Sequence, residues 1–277
     1  MRSAITVSMV PAARQGPFVF HAGLEDACQR AAALNFDAIE IFPPDAESLD
    51  REIVASLLEK YALKLAAVGT GAGWVCHQLT LSSHEGDVRR RAVEFVRSII
   101  DAAGKLNAPA IIGSMQGRAS SAEERPAALA RLASAVSELA DYAYNRYQVP
   151  LLIEPLNRYE TNLLNEVGQT VDWIQGLPTA NVRILADFFH MNIEEADMAA
   201  ALCSAGTLIG HVHFADSNRQ AVGLGHAPIR QAVTALRQIG YSGYLSAEIF
   251  PRPDGDTAAR QTILSFRKLT EESQSPC

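Results

Sequence analysis

The second half of the chain carries four short apolar runs: LLIEP at Leu151–Pro155, RILAD at Arg183–Asp187, GHVHF at Gly210–Phe214 and YLSAEI at Tyr244–Ile249. Each run has the length of a buried strand, and the intervals between the runs are long enough for helices. Strands that are joined through helices have to pair in parallel. Because one βα unit takes roughly 30 residues, the spacing predicts four consecutive strands of a parallel sheet.

The first half of the chain repeats this alternation. Further strand candidates are Ile5–Val10, Ala38–Phe42, Lys64–Gly69 and Ala110–Gly113, and helical patterns cover Leu24–Leu34, Glu47–Tyr61, Val88–Leu106, Ala127–Tyr147 and Ala227–Ile239. Eight strands in ~250 residues are typical of a closed barrel, whereas a doubly wound sheet has about five or six strands and often a glycine fingerprint after the first. The segment after the first strand, Pro11–Pro17, lacks that fingerprint. We therefore predict an α/β protein that forms a single (β/α)8 TIM-barrel domain over residues 1–277, with a frayed tail at about residues 271–277.

Composition excludes several classes of protein. Hydrophobic residues make up 48% of the chain and charged residues 20%, and the net charge is −7. An acidic chain of this kind argues against a nucleic-acid partner. No apolar run approaches the ~18 residues of a membrane span, and the first run is too short for a signal peptide. Four scattered cysteines without a CxxC pair favour a reduced, cytoplasmic protein, and the sequence is compatible with a homo-oligomer.

One connection is unusually long. Thr70–Ser83 follows the third strand, contains Gly71, Gly73 and Trp74, and shows no clear helical or strand pattern. A loop of this length inside a barrel is usually functional, so we predict a mobile wall of the active site. The glycine spacing does not match GxGxxG, which argues against a nucleotide site.

Side chains that bind metals stand at the ends of the last four strands. They are Glu154, Asp187, His213 and Glu248, and the carboxyl ends of barrel strands all meet at the face that holds active sites. Alternation along the strands places Leu152, Leu185 and His211 on the same inward face as these four residues. Three carboxylates and one imidazole form a negatively charged, oxygen-rich site that implies a bound cation. Mn²⁺, Mg²⁺ or Co²⁺ suits such ligands better than structural zinc, and we expect one ion, with Mn²⁺ first.

Other polar residues fall near the same barrel face. His190, Arg219 and Glu160 follow the sixth, seventh and fifth strands, and Arg118 follows the fourth. For Asp216, an Asx-turn within its loop and a role in the pocket both remain open, and His211 is either a buried hydrogen-bonded residue or a group that supports a metal ligand. Asn192 with Glu195 three residues later predicts a capping box for the helix after the sixth strand.

These segments resemble the xylose-isomerase-like sugar isomerases and epimerases, specifically the branch of ketose 3-epimerases that includes D-tagatose, L-ribulose and keto-uronate epimerases. The resemblance is carried by IEPLNRYE at 153–160, ADFFHMNIEE at 186–195, HVHFADSNR at 211–219, GLGH at 223–226 and the strand that ends at Glu248. It covers the second half of the chain closely and the first half more loosely. Two departures are Phe188, where the family commonly has threonine, and Ala227–Ile229, which replaces a segment that usually carries an aspartate and an aromatic residue.

The resemblance implies a metal held by Glu154, Asp187, His213 and Glu248, with Glu154 and Glu248 also acting as the acid/base pair. It implies sugar contacts for Glu160, His190 and Arg219. We add Arg118 as a candidate partner for an acidic substrate, because a guanidinium pair with Arg219 suits a carboxylate; a solvated loop position is the alternative.

The sequence thus predicts an isomerase: a metal-dependent epimerase that inverts C3 of a free ketose or keto-uronate through a metal-stabilised ene-diolate. Its partner would be a small sugar or keto-sugar acid, with no nucleic acid and no membrane. Return of the proton to the neighbouring carbon would instead make the enzyme an aldose–ketose or hydroxypyruvate-type isomerase. Two other classes are a metal-dependent hydrolase or endonuclease of the same barrel superfamily, which would need more histidines and a basic face, and an inactive sugar-binding module.

Overall fold

The computed structural model describes residues 1–271 and shows a closed barrel of eight parallel strands. The strands are β1 Arg2–Ser8, β2 Ala38–Phe42, β3 Lys64–Gly69, β4 Ala110–Ile112, β5 Leu151–Ile153, β6 Val182–Asp187, β7 Ile209–His213 and β8 Tyr244–Ala247. Each strand pairs with the next, and β8 closes the barrel against β1, from Tyr244 opposite Arg2 to Ala247 opposite Ile5. The predicted fold is confirmed.

Helices surround the barrel. They are α1 Leu24–Ala33, α2 Arg51–Lys60, α3 Ala72–His77, α4 Gly86–Gly104, α5 Arg125–Tyr147, α6 Val167–Gln175, α7 Phe188–Glu194, α8 Met198–Ala205, α9 Ile229–Gln238 and α10 Gly255–Glu271. None of the helices in the described residues is long and apolar enough to cross a membrane. Of the predicted frayed tail, Glu271 ends α10, and residues 272–277 lie outside the described residues.

Strand alternation separates an outer core from the barrel interior. Residues such as Ile39 and Ile153 point outward into the main core against the helices. The interior contains a layer of alanines at the amino-terminal end, and above it a second layer that includes Leu152 and Leu185. The predicted inward face of β5 and β6 is therefore confirmed, and the next inward positions along these strands, at the carboxyl end, are Glu154 and Asp187.

Two local predictions were wrong. The long connection after β3 contains α3, which the sequence hides because its AGWVCH segment is a poor helix former. Packing stabilises this helix: a Cβ on Gly73 would collide with the side chains of Met115 and Phe95, so any other residue here would require these side chains to move. The predicted capping box is also absent, because α7 begins directly at the end of β6 and Asp187 is its cap, accepting a hydrogen bond from the N–H of Phe189 at 2.7 Å. Asn192 lies within α7, and Glu195 accepts the N–H of Val167.

Candidate functional site

The four predicted metal ligands converge at the carboxyl end of the barrel. Nδ1 of His213 lies 3.4 Å from a carboxylate oxygen of Glu154, 3.4 Å from one of Asp187 and 4.0 Å from one of Glu248. Asp187 and His213 end their strands, whereas Glu154 and Glu248 lie one residue past the ends of β5 and β8. Asp187, His213 and Glu154 are buried, and the Glu248 side chain is 16% exposed. The structure therefore places one nitrogen and three carboxylates around one point.

This cluster has the chemistry of a divalent-metal site. Asp187, His213 and Glu248 offer one ligand atom each within 4.8 Å of one another, and so do Glu154, Asp187 and His190. Oδ1 of Asp187 is occupied by its bond to the N–H of Phe189, while Oδ2 faces the cluster. Arg219 forms an ion pair with Glu248, which offsets one of the three negative charges. A divalent cation would balance the remaining charge, and mixed oxygen and imidazole donors suit Mn²⁺, Mg²⁺ or Co²⁺.

The buried charges shift one another's proton affinities. Burial raises the pKa of Glu154 to about 7, and the carboxylates of Asp187 and Glu248 act in the same direction. Burial also opposes ionisation of Asp187, but His190, His213 and Arg219 hold the pKa of that carboxyl group well below its usual range. For His213, Glu40, Asp187 and Glu154 outweigh burial and raise its pKa well above the ordinary value. A cluster that shares protons in this way is typical of sites that exchange them for a metal.

Gly113 and Gln116 hold Glu154 in position. A Cβ on Gly113, at the end of β4, would collide with Oε2 of Glu154, so the carboxylate rests against bare backbone. The side-chain amide of Gln116 donates to the backbone oxygen of Glu154 at 3.0 Å. The loop after β4 therefore fixes the residue that follows β5.

His190 presents a hydrogen-bond donor to the cluster. Its Nδ1 accepts the backbone N–H of Asn157 at 3.2 Å, with the Asn157 side-chain amide 2.8 Å away. Its Nε2 is buried without a hydrogen-bond partner among the described residues, and lies 3.8 Å from Glu154 and 3.7 Å from Asp187. Burial lowers the pKa of His190 to about 4, so the ring is neutral at pH 7. With Nδ1 accepting, the proton is on Nε2 and is available to a bound ligand.

Arg219 joins the acidic cluster to Glu160. It pairs with Glu248, its Nη1 lies 3.6 Å from Glu160, and its guanidinium stacks 4.9 Å from the centre of the Phe189 ring. Its backbone adopts the left-handed conformation, with φ at 56°, which is strained for a residue with a side chain. Its Nε is buried without a partner in the described structure. The surrounding loop therefore holds Arg219 in a costly conformation that faces the cluster.

A cavity of about 780 Å³ opens above these residues. Its lining includes Glu154, Glu160, His190, His213, Arg219, Glu248 and Arg118, so the structure brings all of the predicted substrate residues to one cavity. Arg118 is exposed at its edge and donates to the backbone oxygen of Tyr159 at 3.0 Å. The opposite wall is apolar and contains Phe18 from the connection after β1, Phe42 from the end of β2 and Trp74 from the connection after β3. The long connection after β3 thus forms part of the wall, as predicted, although through a helix.

Sequence reasoning missed Glu40. This buried residue of β2 contacts both His211 and His213 from inside the barrel. One signal was available: a single charged residue stands at an inward position of the otherwise apolar strand AIEIF. His211 is buried and hydrogen-bonded to Glu40, which was one of its two alternatives, and the other, support of a metal ligand, stays open. The departure at Phe188 lies outside the cavity, because that ring is fully buried and packs edge-on against Phe214.

Comparison with known proteins agrees with this geometry. A family model described as xylose isomerase-like TIM barrel matches residues 28–269. The chain belongs to this family.

Its relatives are sugar epimerases. A D-psicose 3-epimerase of Agrobacterium fabrum is 30% identical over 248 residues, which cover 88% of this chain and 82% of that protein. An L-ribulose 3-epimerase of a Methylomonas species is 29% identical, over 91% of this chain and 87% of that protein. A solved structure of a D-allulose 3-epimerase from Methylomonas superposes with a TM-score of 0.82 at 25% identity and covers 97% of this chain and 98% of the other. The protein is therefore an enzyme of the isomerase class.

Proposed function

We propose that this enzyme is a divalent-metal-dependent epimerase that inverts C3 of a free ketose or keto-uronate through an ene-diolate. The observation that carries the proposal is the placement of two carboxylates. Glu154 follows β5 and Glu248 follows β8, so they flank Asp187 on β6 and His213 on β7, and both approach the same imidazole nitrogen within 4.0 Å. A sugar bound above Asp187 and His213 would have one carboxylate at each side.

Inversion needs proton transfer on both faces of the reacting carbon. One carboxylate removes the C3 proton from one face, and the other, in its acid form, returns a proton to the opposite face. Without a metal, the pKa of Glu154 is about 7, and a bound cation would lower it, so Glu154 would act first as the carboxylate that removes a proton. Glu248 stays oriented by its ion pair with Arg219. A divalent ion held by Glu154, Asp187, His213 and Glu248 would supply Lewis-acid stabilisation of the negative charge that develops when C3 loses its proton.

The remaining residues would bind and orient the sugar. The Nε2–H of His190 is placed to donate to a substrate oxygen, since no described residue accepts it. Glu160, at the cavity wall beside Arg219, would accept hydrogen bonds from sugar hydroxyl groups. Arg118 lies at the edge of the cavity, where it would meet the end of the sugar remote from the metal. These contacts fix the two faces of the sugar against the two carboxylates, which is the condition for inversion at one carbon.

A panel assay tests the proposed function. The enzyme would first be freed of metal with a chelator, and Mn²⁺, Co²⁺ or Mg²⁺ would then be restored to part of it. Both preparations would be incubated with ketoses, keto-uronates, sugar phosphates and aldoses, and NMR would identify the products. We expect C3 epimers from a ketose or keto-uronate, only with metal. Interconversion of aldose and ketose without C3 inversion would contradict the proposal, and so would full activity in protein shown by elemental analysis to be metal-free.

A further inference from the structure

Glu40 is a buried carboxylate that lies behind the metal site. It is 2% exposed, and its Oε1 lies 3.1 Å from Nε2 of His213 and accepts a hydrogen bond from the Thr6 hydroxyl at 3.1 Å. Its Oε2 lies 2.6 Å from Nε2 of His211. The ion pairs that the structure shows for Glu40 are with these two imidazoles. Burying a charge costs free energy unless hydrogen bonds or ion pairs compensate for it. The contacts with His211, His213 and Thr6 therefore favour one geometry of the Glu40 side chain.

The two nitrogens of His213 have different neighbours. Nε2 faces Glu40, whereas Nδ1 faces the carboxylates of Glu154, Asp187 and Glu248. A neutral imidazole carries its proton on one nitrogen and a lone pair on the other. An acceptor at Nε2 holds the proton there and leaves the lone pair of Nδ1 for a metal. Without Glu40, the ring could carry the proton on Nδ1 and donate it to Asp187, which would remove the imidazole as a ligand.

We propose that Glu40 is a positioning residue of the metal centre, which fixes the tautomer and the ring orientation of His213 and is itself held by His211 and Thr6. This inference rests on the proposed function, since it presupposes a metal at His213. Carboxylates that orient metal-binding histidines in this way typically change metal affinity 10–100-fold when they are lost.

An ion bound directly by Glu40, His211 and His213 is the competing explanation, because these residues could also hold a metal. The distance of 2.6 Å between His211 and Glu40 is that of a hydrogen bond. Two atoms that each lie ~2.0–2.2 Å from one ion at tetrahedral angles would be more than about 3 Å apart. The geometry therefore favours a hydrogen-bonded network, which predicts one ion per chain rather than two.

The test compares Mn²⁺ binding, measured by calorimetry and elemental analysis, in the wild-type enzyme, Glu40→Gln and Thr6→Val. Glu40→Gln keeps the volume of the side chain. Thr6→Val removes one bond to Glu40, together with the 3.2 Å contact between the hydroxyls of Thr6 and Ser246, without touching either histidine. Glu195→Gln is the matched control, because Glu195 is partly buried and hydrogen-bonded but accepts from Val167, away from the cluster. We expect one ion per chain, a Kd raised 10–100-fold in Glu40→Gln, a smaller increase in Thr6→Val and no change in the control.

A spectroscopic measurement distinguishes a loss of His213 orientation from a general destabilisation of the protein. In Co²⁺-loaded protein, the exchangeable Nε2 proton of a ligating His213 gives a paramagnetically shifted NMR signal that persists only while the proton is protected. We expect this signal in the wild type and in Glu195→Gln, and its loss or rapid exchange in Glu40→Gln.

The outcomes distinguish this inference from the proposed function. Unchanged Kd and an unchanged Co²⁺ signal in Glu40→Gln, with tight binding by the wild type, would overturn the role of Glu40 and leave the proposed function standing. Two ions per chain, one of them lost in Glu40→Gln while the other keeps its affinity, would also overturn it. Failure of the wild type to bind any divalent ion would overturn both.

Discussion

Glu154 and Glu248 are the same residue type in different surroundings. Glu154 is buried beside other carboxylates, while the partly exposed Glu248 is paired with Arg219. Because a glutamine amide keeps the shape but transfers no proton, we expect Glu154→Gln and Glu248→Gln each to lower kcat for C3 epimerisation by about 10²–10⁴-fold or more. Asp187→Asn and His213→Ala should act chiefly by weakening metal binding. Rates measured at saturating Mn²⁺, together with the metal content of each variant, separate the loss of proton transfer from the loss of metal binding. Near-normal turnover of either glutamine variant would refute the two-carboxylate mechanism.

Arg118 allows a test of the substrate's far end. Its guanidinium donates to the Tyr159 oxygen through Nη1 and keeps other donors for a ligand at the cavity edge. If it binds a carboxylate, Arg118→Ala should raise KM for a keto-uronate several-fold more than KM for a neutral ketose such as tagatose. Arg90→Ala, an exposed arginine on α4, is the control and should leave both values unchanged. An equal loss on both substrates would show that Arg118 does not recognise the carboxylate.

Single residues differ in how far the sequence reveals them. Glu154, Asp187, His213 and Glu248 could be found because each ends a strand and the four recur at the interval of a βα unit. Glu40 could not be assigned, since its partners lie on β7, far away in sequence but close across the barrel interior. The orientation of His190 likewise depends on a backbone N–H of the loop after β5, which no periodicity predicts.

The connection between β7 and α9 shows how an element supports the site. Asp216 is buried and accepts the backbone N–H groups of Ser217, Gly223 and Ala227 at 2.8–3.0 Å. Asp216 therefore organises its own loop, which was one of its two alternatives, although through the N–H groups of residues 217, 223 and 227 rather than through an Asx-turn. Arg219 belongs to this loop and has a strained backbone: its N–H donates to the backbone oxygen of Asp216 at 2.8 Å, and its own oxygen accepts the N–H of Phe250 at 2.8 Å. The three bonds of the Asp216 side chain therefore support Arg219 indirectly, through the fold of the loop.

We expect Asp216→Ala to destabilise the protein by about 1–3 kcal/mol, the cost of leaving buried N–H groups unpaired. It should also raise KM, because Arg219 loses its support. The control is Asp50→Ala, which removes the cap of α2 at the protein surface and should cost ~0.5–2 kcal/mol without changing KM. Urea unfolding and steady-state kinetics on both variants test this; a KM unchanged in Asp216→Ala would mean that Arg219 keeps its position without the loop's hydrogen bonds.

At the scale of elements, the order of strands and helices follows from the sequence better than the connections do. The apolar runs predicted all eight strands, because strands of a parallel barrel are buried on both faces and are therefore almost continuously apolar. The short helix α3 depends on tertiary packing, because Gly73 lies against Met115, and local propensity does not contain that contact. The start of α7 has a local cap, since Asp187 accepts the N–H of Phe189 two residues later, but Asp187 also ends β6, so the sequence pattern did not show that the helix begins there without a connecting loop.

The whole molecule divides its functions around the barrel mouth. The acidic cluster comes from the carboxyl ends of β5 to β8, whereas the apolar cavity wall comes from the connections after β1 and β3 and from the end of β2. The sequence resemblance showed the same division, since it was close in the second half and loose in the first. The site residues in the second half of the chain could thus be predicted from the residue types at the strand ends. The cavity wall formed by the first half could not be predicted in this way.

Metal binding should be linked to protons over the whole site. The pKa of His213 is raised well above its ordinary value and that of Glu154 is about 7, so the metal-free protein carries protons on both groups near neutral pH. A metal needs the deprotonated forms, so its apparent affinity should rise with pH across about pH 6–8. Calorimetry at pH 7 in buffers of different ionisation enthalpy should show release of about one proton or more per Mn²⁺. The increase in Tm that Mn²⁺ causes should be smaller at pH 6 than at pH 7. A Kd that does not change with pH would contradict the pKa values assigned to Glu154 and His213.

Solvent isotope incorporation during a single reaction tests the central claim most directly. The Mn²⁺-loaded enzyme would convert a ketose or keto-uronate in D₂O, with the position and extent of labelling followed by NMR. Two carboxylates that act on opposite faces predict a C3 epimer that carries deuterium at C3 and none at C1, and no such product from Glu154→Gln or Glu248→Gln. An aldose product with deuterium at C1 would contradict the account. So would an unlabelled C3 epimer that either variant forms as fast as the wild type.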